Sequence, residues 1–158
     1  MNIVVDASLT GALFVRMPWS AFVERQFRAW RLNGDQMFVP SVWLAEVTSI
    51  LRKAATSGKI KEEDARVILT MLPNLHIQII SPNPALLDAA FIMAGRLGIT
   101  DVYAVQYLAL AEHLHAEFWT VNRKLYETLK EFHFDWIKFF PTSNTATESR
   151  SGIEYDKI

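Results

Sequence analysis

Three oxygen-bearing side chains stand where a fold of alternating strands and helices would gather them. Asp6 follows the β-branched run Ile3-Val4-Val5, Asn122 follows the stretch from Glu117 to Val121, and Glu46 lies in the second turn of a helical stretch opened by Pro40 and Ser41. Open parallel sheets bind ligands outside the carboxyl ends of their strands, so Asp6 and Asn122 would meet at that rim and Glu46 could reach it. Two carboxylates about 4 Å apart repel by roughly 1 kcal/mol in water and roughly 4 kcal/mol at an effective dielectric of 20. Their convergence therefore needs a cation or a shared proton. An all-oxygen cluster suits Mg2+ or Mn2+, which can orient a phosphodiester, stabilise developing charge and lower the pKa of an attacking water. An acid after a strand and a glutamate on a helix are also ordinary solvated residues, and spacing alone leaves both readings open.

The elements that must position these residues can be read from periodicity and punctuation. Ile3 to Val5 reads as a strand, and apolar residues then recur with helical spacing through Leu13, Phe14, Phe22, Phe27 and Trp30. Asn33-Gly34-Asp35 is a turn, Met37 to Val39 a second strand, and a helix runs from Pro40-Ser41 to about Ser57-Gly58. Lys61 to Leu72 reads as a helix stopped by Pro73, His76 to Ile80 as a strand, and Pro84 to Leu97 as a helix ended by Gly98. Thr100 or Asp101 caps the next helix, which runs to about His115. Glu117 to Val121 is a strand, Asn122 opens a short helix through Lys130, and Trp136 to Phe139 reads as an edge strand. Alternation of this kind predicts an α/β fold with a parallel sheet, because parallel neighbours need crossovers and helices usually supply them.

Composition narrows the chemistry. A chain of 158 residues, 51% hydrophobic and 21% charged, fits one well-filled domain. The polar segment from Thr142 to Ser149 lacks any pattern, so 141–158 is expected to be a mobile tail after a domain spanning 1–140. Cysteine is absent, which removes disulfides, thiolate nucleophiles and cysteine-bound zinc, and His76, His113, His115 and His133 form no zinc-ligand pattern. No apolar stretch approaches the roughly 20 residues of a membrane span, and the start lacks a basic signal region; a cytoplasmic location without membrane association is the expectation. With a formal net charge of -1, a nucleic acid would have to be held by a local basic patch.

Three blocks occur in an order and spacing that resemble the PIN domains of VapC-type toxins: Ile3-Val4-Val5-Asp6-Ala7-Ser8, Pro40-Ser41-Val42-Trp43-Leu44-Ala45-Glu46-Val47, and Tyr107-Leu108-Ala109-Leu110-Ala111-Glu112 with Phe118-Trp119-Thr120-Val121-Asn122-Arg123-Lys124-Leu125. The resemblance covers roughly residues 1–140. It implies a three-layer α/β/α sandwich with a central, mostly parallel sheet and a metal-dependent endoribonuclease of toxin–antitoxin type, using Mg2+ or Mn2+ to cleave RNA. It also implies a VapB-like antitoxin partner and homodimerisation. Asp6 and Glu46 match the first acids of the family's site, and Ser8 matches the small hydroxyl residue two positions after the first Asp. Thr120 belongs to the family's Thr-x-Asp pattern, with Arg123 beside it as a candidate phosphate contact.

Two positions depart from that pattern. Where the family has an Asp three residues before the Tyr of Tyr107-Leu108-Ala109-Leu110-Ala111, this chain has Ala104, and the nearest acid is Asp101. Asp101 lies about 4.5 Å of helical rise earlier on a neighbouring face, as a candidate third ligand or as a helix cap. Asn122 replaces the Asp of Thr-x-Asp, offering a carbonyl oxygen without charge, or again a cap. A weakened cation site is the expectation, since hard divalent ions are held largely by carboxylate charge. A catalytically silent module that binds RNA or a protein is the alternative; a small-molecule hydrolase is less favoured, because no Gly-rich phosphate loop is present. Arg52, Lys53, Lys59 and Lys61, with Lys124, are further phosphate candidates or solvated helix ends. Trp19, Phe22, Phe27 and Trp30 read first as core, and any exposed part as a homodimer surface or antitoxin groove.

Overall fold

The computed structural model describes residues 1–140. The expected tail at 141–158 lies outside them. Strands β1 (Asn2–Val5), β2 (Gln36–Pro40), β3 (Ile77–Ile80), β4 (Glu117–Thr120) and β5 (Ile137–Phe139) form one sheet in the order β3-β2-β1-β4-β5. Every pairing is parallel, with Val4 opposite Phe38 on one side and Phe118 on the other. The helices are α1 (Ala7–Gly11), α2 (Ser20–Leu32), α3 (Val42–Thr56), α4 (Glu62–Met71), α5 (Pro84–Leu97), α6 (Val102–His113) and α7 (Arg123–Lys130), with a 3-10 turn at Leu72–Leu75.

Ile3, Val4 and Val5 are wholly buried because β1 is the central strand and is covered on both faces. Burying each such side chain stabilises the fold by roughly 1.5–3 kcal/mol. Successive residues of a strand face opposite sides of a sheet, and β4 shows both layers at once. The Phe118 ring meets Tyr107 of α6 at 6.2 Å, while the Trp119 ring meets Trp30 of α2 edge-on at 5.3 Å. Helices thus cover both faces, and the α/β/α sandwich expected from the sequence is what the chain forms.

The early helical stretch differs from its single-helix reading. It is two helices, α1 and α2, with no helix between Gly11 and Ser20. Pro18 has no N–H to donate and disfavours helical geometry at Met17, and the Ser20 hydroxyl instead accepts from the Met17 amide at 2.9 Å. Of the four aromatic residues there, Phe27 and Trp30 are core, whereas Phe22 is 53% exposed. The helix expected to run to about His115 ends at His113, and His115 takes a left-handed backbone, φ 49°.

From β1 the chain proceeds outward through β2 to β3, then returns to place β4 on the other side of β1. The carboxyl ends of β1 and β4 therefore flank the point where strand order reverses, the place where open α/β sheets leave a crevice.

Candidate active site

Asp6 leaves the end of β1 with its amide donating to the Trp119 carbonyl at 3.2 Å, so the backbone is still tied to β4 as the chain turns into α1. Its carboxylate caps that helix, accepting from the Leu9 amide at 2.7 Å, and it also accepts from the Ser8 hydroxyl at 2.8 Å. The Thr120 hydroxyl donates to the other carboxylate oxygen, and the Asn122 amide donates to Thr120 at 2.9 Å. Three donors against roughly four acceptor positions leave a carboxylate about one further direction in which to bind. Asp6 is a buried acid, and burial pushes its pKa up to about 6; the bonds from Thr120, Leu9 and Ser8 oppose that rise, and the nearby charge of Glu46 adds to it.

Glu46 is brought to Asp6 by close packing of α3 on α1. A Cβ at Gly11 would lie 3.0 Å from Ile50 Cγ2, so only glycine lets the helices approach this far without displacement. The Trp43 indole donates to Thr10 Oγ1 at 3.1 Å, and Thr10 donates to the Asp6 carbonyl at 3.0 Å. These two bonds fix the start of α3 relative to the turn that carries Asp6. On Glu46, one carboxylate oxygen accepts from the Tyr107 hydroxyl. Its pKa is raised by partial burial, against the Tyr107 bond, with the charge of Asp101 raising it further. Tyr107 is buried, and burial beside Glu46 pushes its phenol above the usual range, so it remains a donor.

The structure divides the other expected site residues. Ser8 and Thr120 touch Asp6 directly. Asp101 is the exposed N-cap of α6, accepting from the Tyr103 amide at 3.0 Å, while its charge still reaches Glu46. Asn122 caps α7 through its side-chain oxygen, which accepts from Leu125 at 3.1 Å, and reaches Asp6 only through its backbone amide and Thr120. Arg123 is exposed at the first position of α7, beside Asn122. Arg52 is spent on a surface ion pair with Glu62 at 3.0 Å, both side chains largely exposed, which favours the solvated-helix reading of that basic run.

Among the described residues, no three of His, Asp and Glu come within reach of one ion. Asp6 and Glu46 are electrostatically coupled, both carry raised pKa values, and neither forms an ion pair with Lys, Arg or His among the described residues. Mg2+ is commonly held by one or two carboxylates with water and phosphate completing its shell, so this donor set fits a hard divalent cation. Sequence reasoning missed Thr10, Trp43 and Tyr107 as site residues. Tyr107 stood inside a recognised block, but nothing local to the sequence marks its partner, 61 residues away.

No family model matches the chain. Ribonuclease VapC3 of Pyrobaculum aerophilum is 30% identical over 128 residues, covering 80% of this chain and 94% of the relative. Among solved structures, a toxin–antitoxin complex from Klebsiella pneumoniae superposes with TM-score 0.57 at 15% identity, covering 86% of this chain and 95% of that one. Mycobacterium tuberculosis VapC20, described as a sarcin-ricin loop cleaving toxin, has TM-score 0.55 at 14% identity over 73% of this chain and 85% of its own. VapBC-1 from nontypeable Haemophilus influenzae has TM-score 0.54 at 18% identity, over 83% and 94% respectively. The structural likenesses show a shared fold; the curated relative, matched across nearly its whole length, shows more, and the chain belongs to the VapC family of PIN-domain proteins.

Proposed function

We propose that the chain is a divalent-metal-dependent endoribonuclease of a toxin–antitoxin pair, acting in the cytoplasm, with Asp6 and Glu46 as the principal ligands of Mg2+ or Mn2+ and Asp101, which caps α6 beyond reach of the same ion, as a third that a bound cation would have to draw in. The observation that carries this reading is the pairing of a buried, hydrogen-bonded Asp6 with Glu46 at the strand-order reversal, with neither in an ion pair with a cation among the described residues. The names of the relative and of the superposed structures support the substrate class and the antitoxin. A bound cation supplies charge that stabilises the phosphorane-like transition state and lowers the pKa of an attacking water.

The chain's own residues do the rest. Ser8, Leu9 and Thr120 hold the Asp6 carboxylate in one orientation, so that little reorganisation is needed when a cation arrives. Tyr107 does the same for Glu46. Arg123, exposed beside Asn122 at the start of α7, is the residue we assign to a phosphate of the bound strand. A second copy could cover the exposed Leu87, Phe91 and Ile92 of α5, and light scattering of the purified chain reads that dimer directly.

The test is Mn2+ calorimetry on the native chain, Asp6→Ala and Asp101→Ala, followed by RNA cleavage at saturating metal. Binding that is lost in both variants, with cleavage by the native chain, supports the three-ligand site. A second reading, a silent PIN module that binds RNA or a protein, draws on Asn122 being used as a cap and on Ala104. RNA binding that ignores both metal and Asp6→Ala would select it.

A further inference from the structure

Helix α2 carries Arg25, Arg28 and Arg31 at three-residue spacing, with a single acid, Glu24, in a chain whose formal net charge is -1. All three arginines are exposed, as is Arg16 in the segment leading into the helix. Among the described residues none of the four is in an ion pair, so their charge is available to a partner. The Arg25 guanidinium lies 4.4 Å from the centroid of the exposed Phe22 ring, an aromatic plane with a cation stacked on it. One helical step further, Arg28 and Arg31 border a cleft with Leu13, Glu24, Phe27 and Leu75.

Topology sets the direction of this row. The segment before α2 starts from the rim that holds Asp6, and β2 begins at the opposite edge of the sheet, where Gln36 pairs with Asn2. The helix ends at that far edge and packs on the sheet through Trp30 and Trp119; at 13 residues, about 20 Å, it is longer than a four-residue strand, about 13 Å, so its start lies toward the rim. An acidic rim repels the backbone of any nucleic acid that approaches it, and a row of unpaired guanidiniums leading away offsets that repulsion.

We propose that α2 is a track for single-stranded RNA. Arg25, Arg28 and Arg31 take successive phosphates of the strand that extends beyond the cleavage site, and Phe22 stacks a base. The apolar wall of the cleft suits a base and its guanidiniums suit a phosphate, a pairing that single-strand binders use without reading sequence. This rests on the ribonuclease reading above.

The experiment is fluorescence anisotropy of a labelled 20-nucleotide oligouridylate with the full chain in EDTA, across a salt series. The triple variant R25Q/R28Q/R31Q is compared with the native chain, with R25K/R28K/R31K, and with F22A; far-ultraviolet circular dichroism checks folding. The expected result is binding by the native chain, weakened on the order of tenfold in the glutamine variant. The slope of log affinity against log salt should fall by about 2, at roughly 0.7 per single-strand phosphate contact. The lysine variant should keep the slope. An unchanged slope and affinity in the glutamine variant overturns the track, and so does oligoglutamate competing as well as unlabelled RNA, which would assign the helix to an acidic protein. If the native chain cleaves RNA with Mn2+ and the glutamine variant shows the same KM, the track alone falls. If the native chain neither binds nor cleaves RNA, the ribonuclease reading falls with it.

Discussion

Thr120 and Asp6, 114 residues apart, share a hydrogen bond across the junction of β4 and β1, and the Thr120 hydroxyl also receives the Asn122 amide. One buried hydroxyl thus serves a candidate metal ligand and the entry into α7. Thr120→Val keeps the shape but leaves the Asp6 carboxylate short of a donor and the Asn122 amide without its acceptor. The expected cost is about 1–3 kcal/mol, read as a lowered denaturation midpoint, with Thr120→Ser close to the native chain. A valine variant as stable as the serine variant would show that the hydroxyl is dispensable.

Asp6 also predicts a pH dependence. Its carboxyl titrates near 6 in the folded chain against 3.8 in an exposed one, so folding favours the protonated form. Relative to an unperturbed acid, this stability is fully present below pH 3.8 and is lost as pH rises through 6. Linkage puts about 1.5 kcal/mol of that loss between pH 5 and pH 7.5. In EDTA, chemical denaturation of the native chain should show this loss relative to Asp6→Asn, and saturating Mn2+ should reverse it. Parallel pH profiles for the two chains would contradict the raised pKa.

Where local chemistry decides, the sequence sufficed. Helix α5 has the expected bounds because Pro84 sits at its first position and Gly98 adopts the left-handed cap, φ 65°. Asp6 was legible as a rim acid because the β-branched run before it is short and buried. The expected single early helix failed because its apolar periodicity carries across Pro18 even though the backbone does not. The least legible contacts are those between side chains far apart in sequence. Glu46 was found on its helix, but its bond to Tyr107 depends on α3 and α6 converging, which no spacing within either helix encodes. Asp101 and Asn122 illustrate the opposite limit: their caps are local and could be read, while their distance from a cation could not.

Tyr107→Phe isolates that hidden contact. The ring still packs against Phe118, but Glu46 loses its donor. A hydrogen bond to a charged group is worth roughly 1.5–3 kcal/mol, so Mn2+ affinity should fall on the order of tenfold, if Tyr107 holds Glu46 in its binding orientation. Calorimetry decides this, and an isotherm matching that of the native chain would mean that Glu46 needs no such restraint.

Ala104 gives the sharpest test of whether the acidic site lacks a member. It lies three residues after Asp101 in the first turn of α6 and three before Tyr107, so a carboxylate there would sit about one turn nearer the bond to Glu46. The helix N-terminus tolerates the added charge, but Glu46 repels it when no cation is present. Ala104→Asp should therefore lower stability slightly in EDTA and raise Mn2+ affinity on the order of tenfold, the two effects arising from the same charge. Combining it with Asp101→Asn separates the roles of the two positions. If Asp101 now supplies the third carboxylate, Asp101→Asn alone abolishes binding and Ala104→Asp restores it. If Asp101 serves only as a cap, Asp101→Asn, whose side-chain oxygen caps equally well, leaves both stability and Mn2+ affinity close to those of the native chain, while Asp101→Ala lowers stability by about 1 kcal/mol. An Ala104→Asp chain with unchanged affinity and cleavage would mean that Asp6 and Glu46 already hold all the charge the site requires.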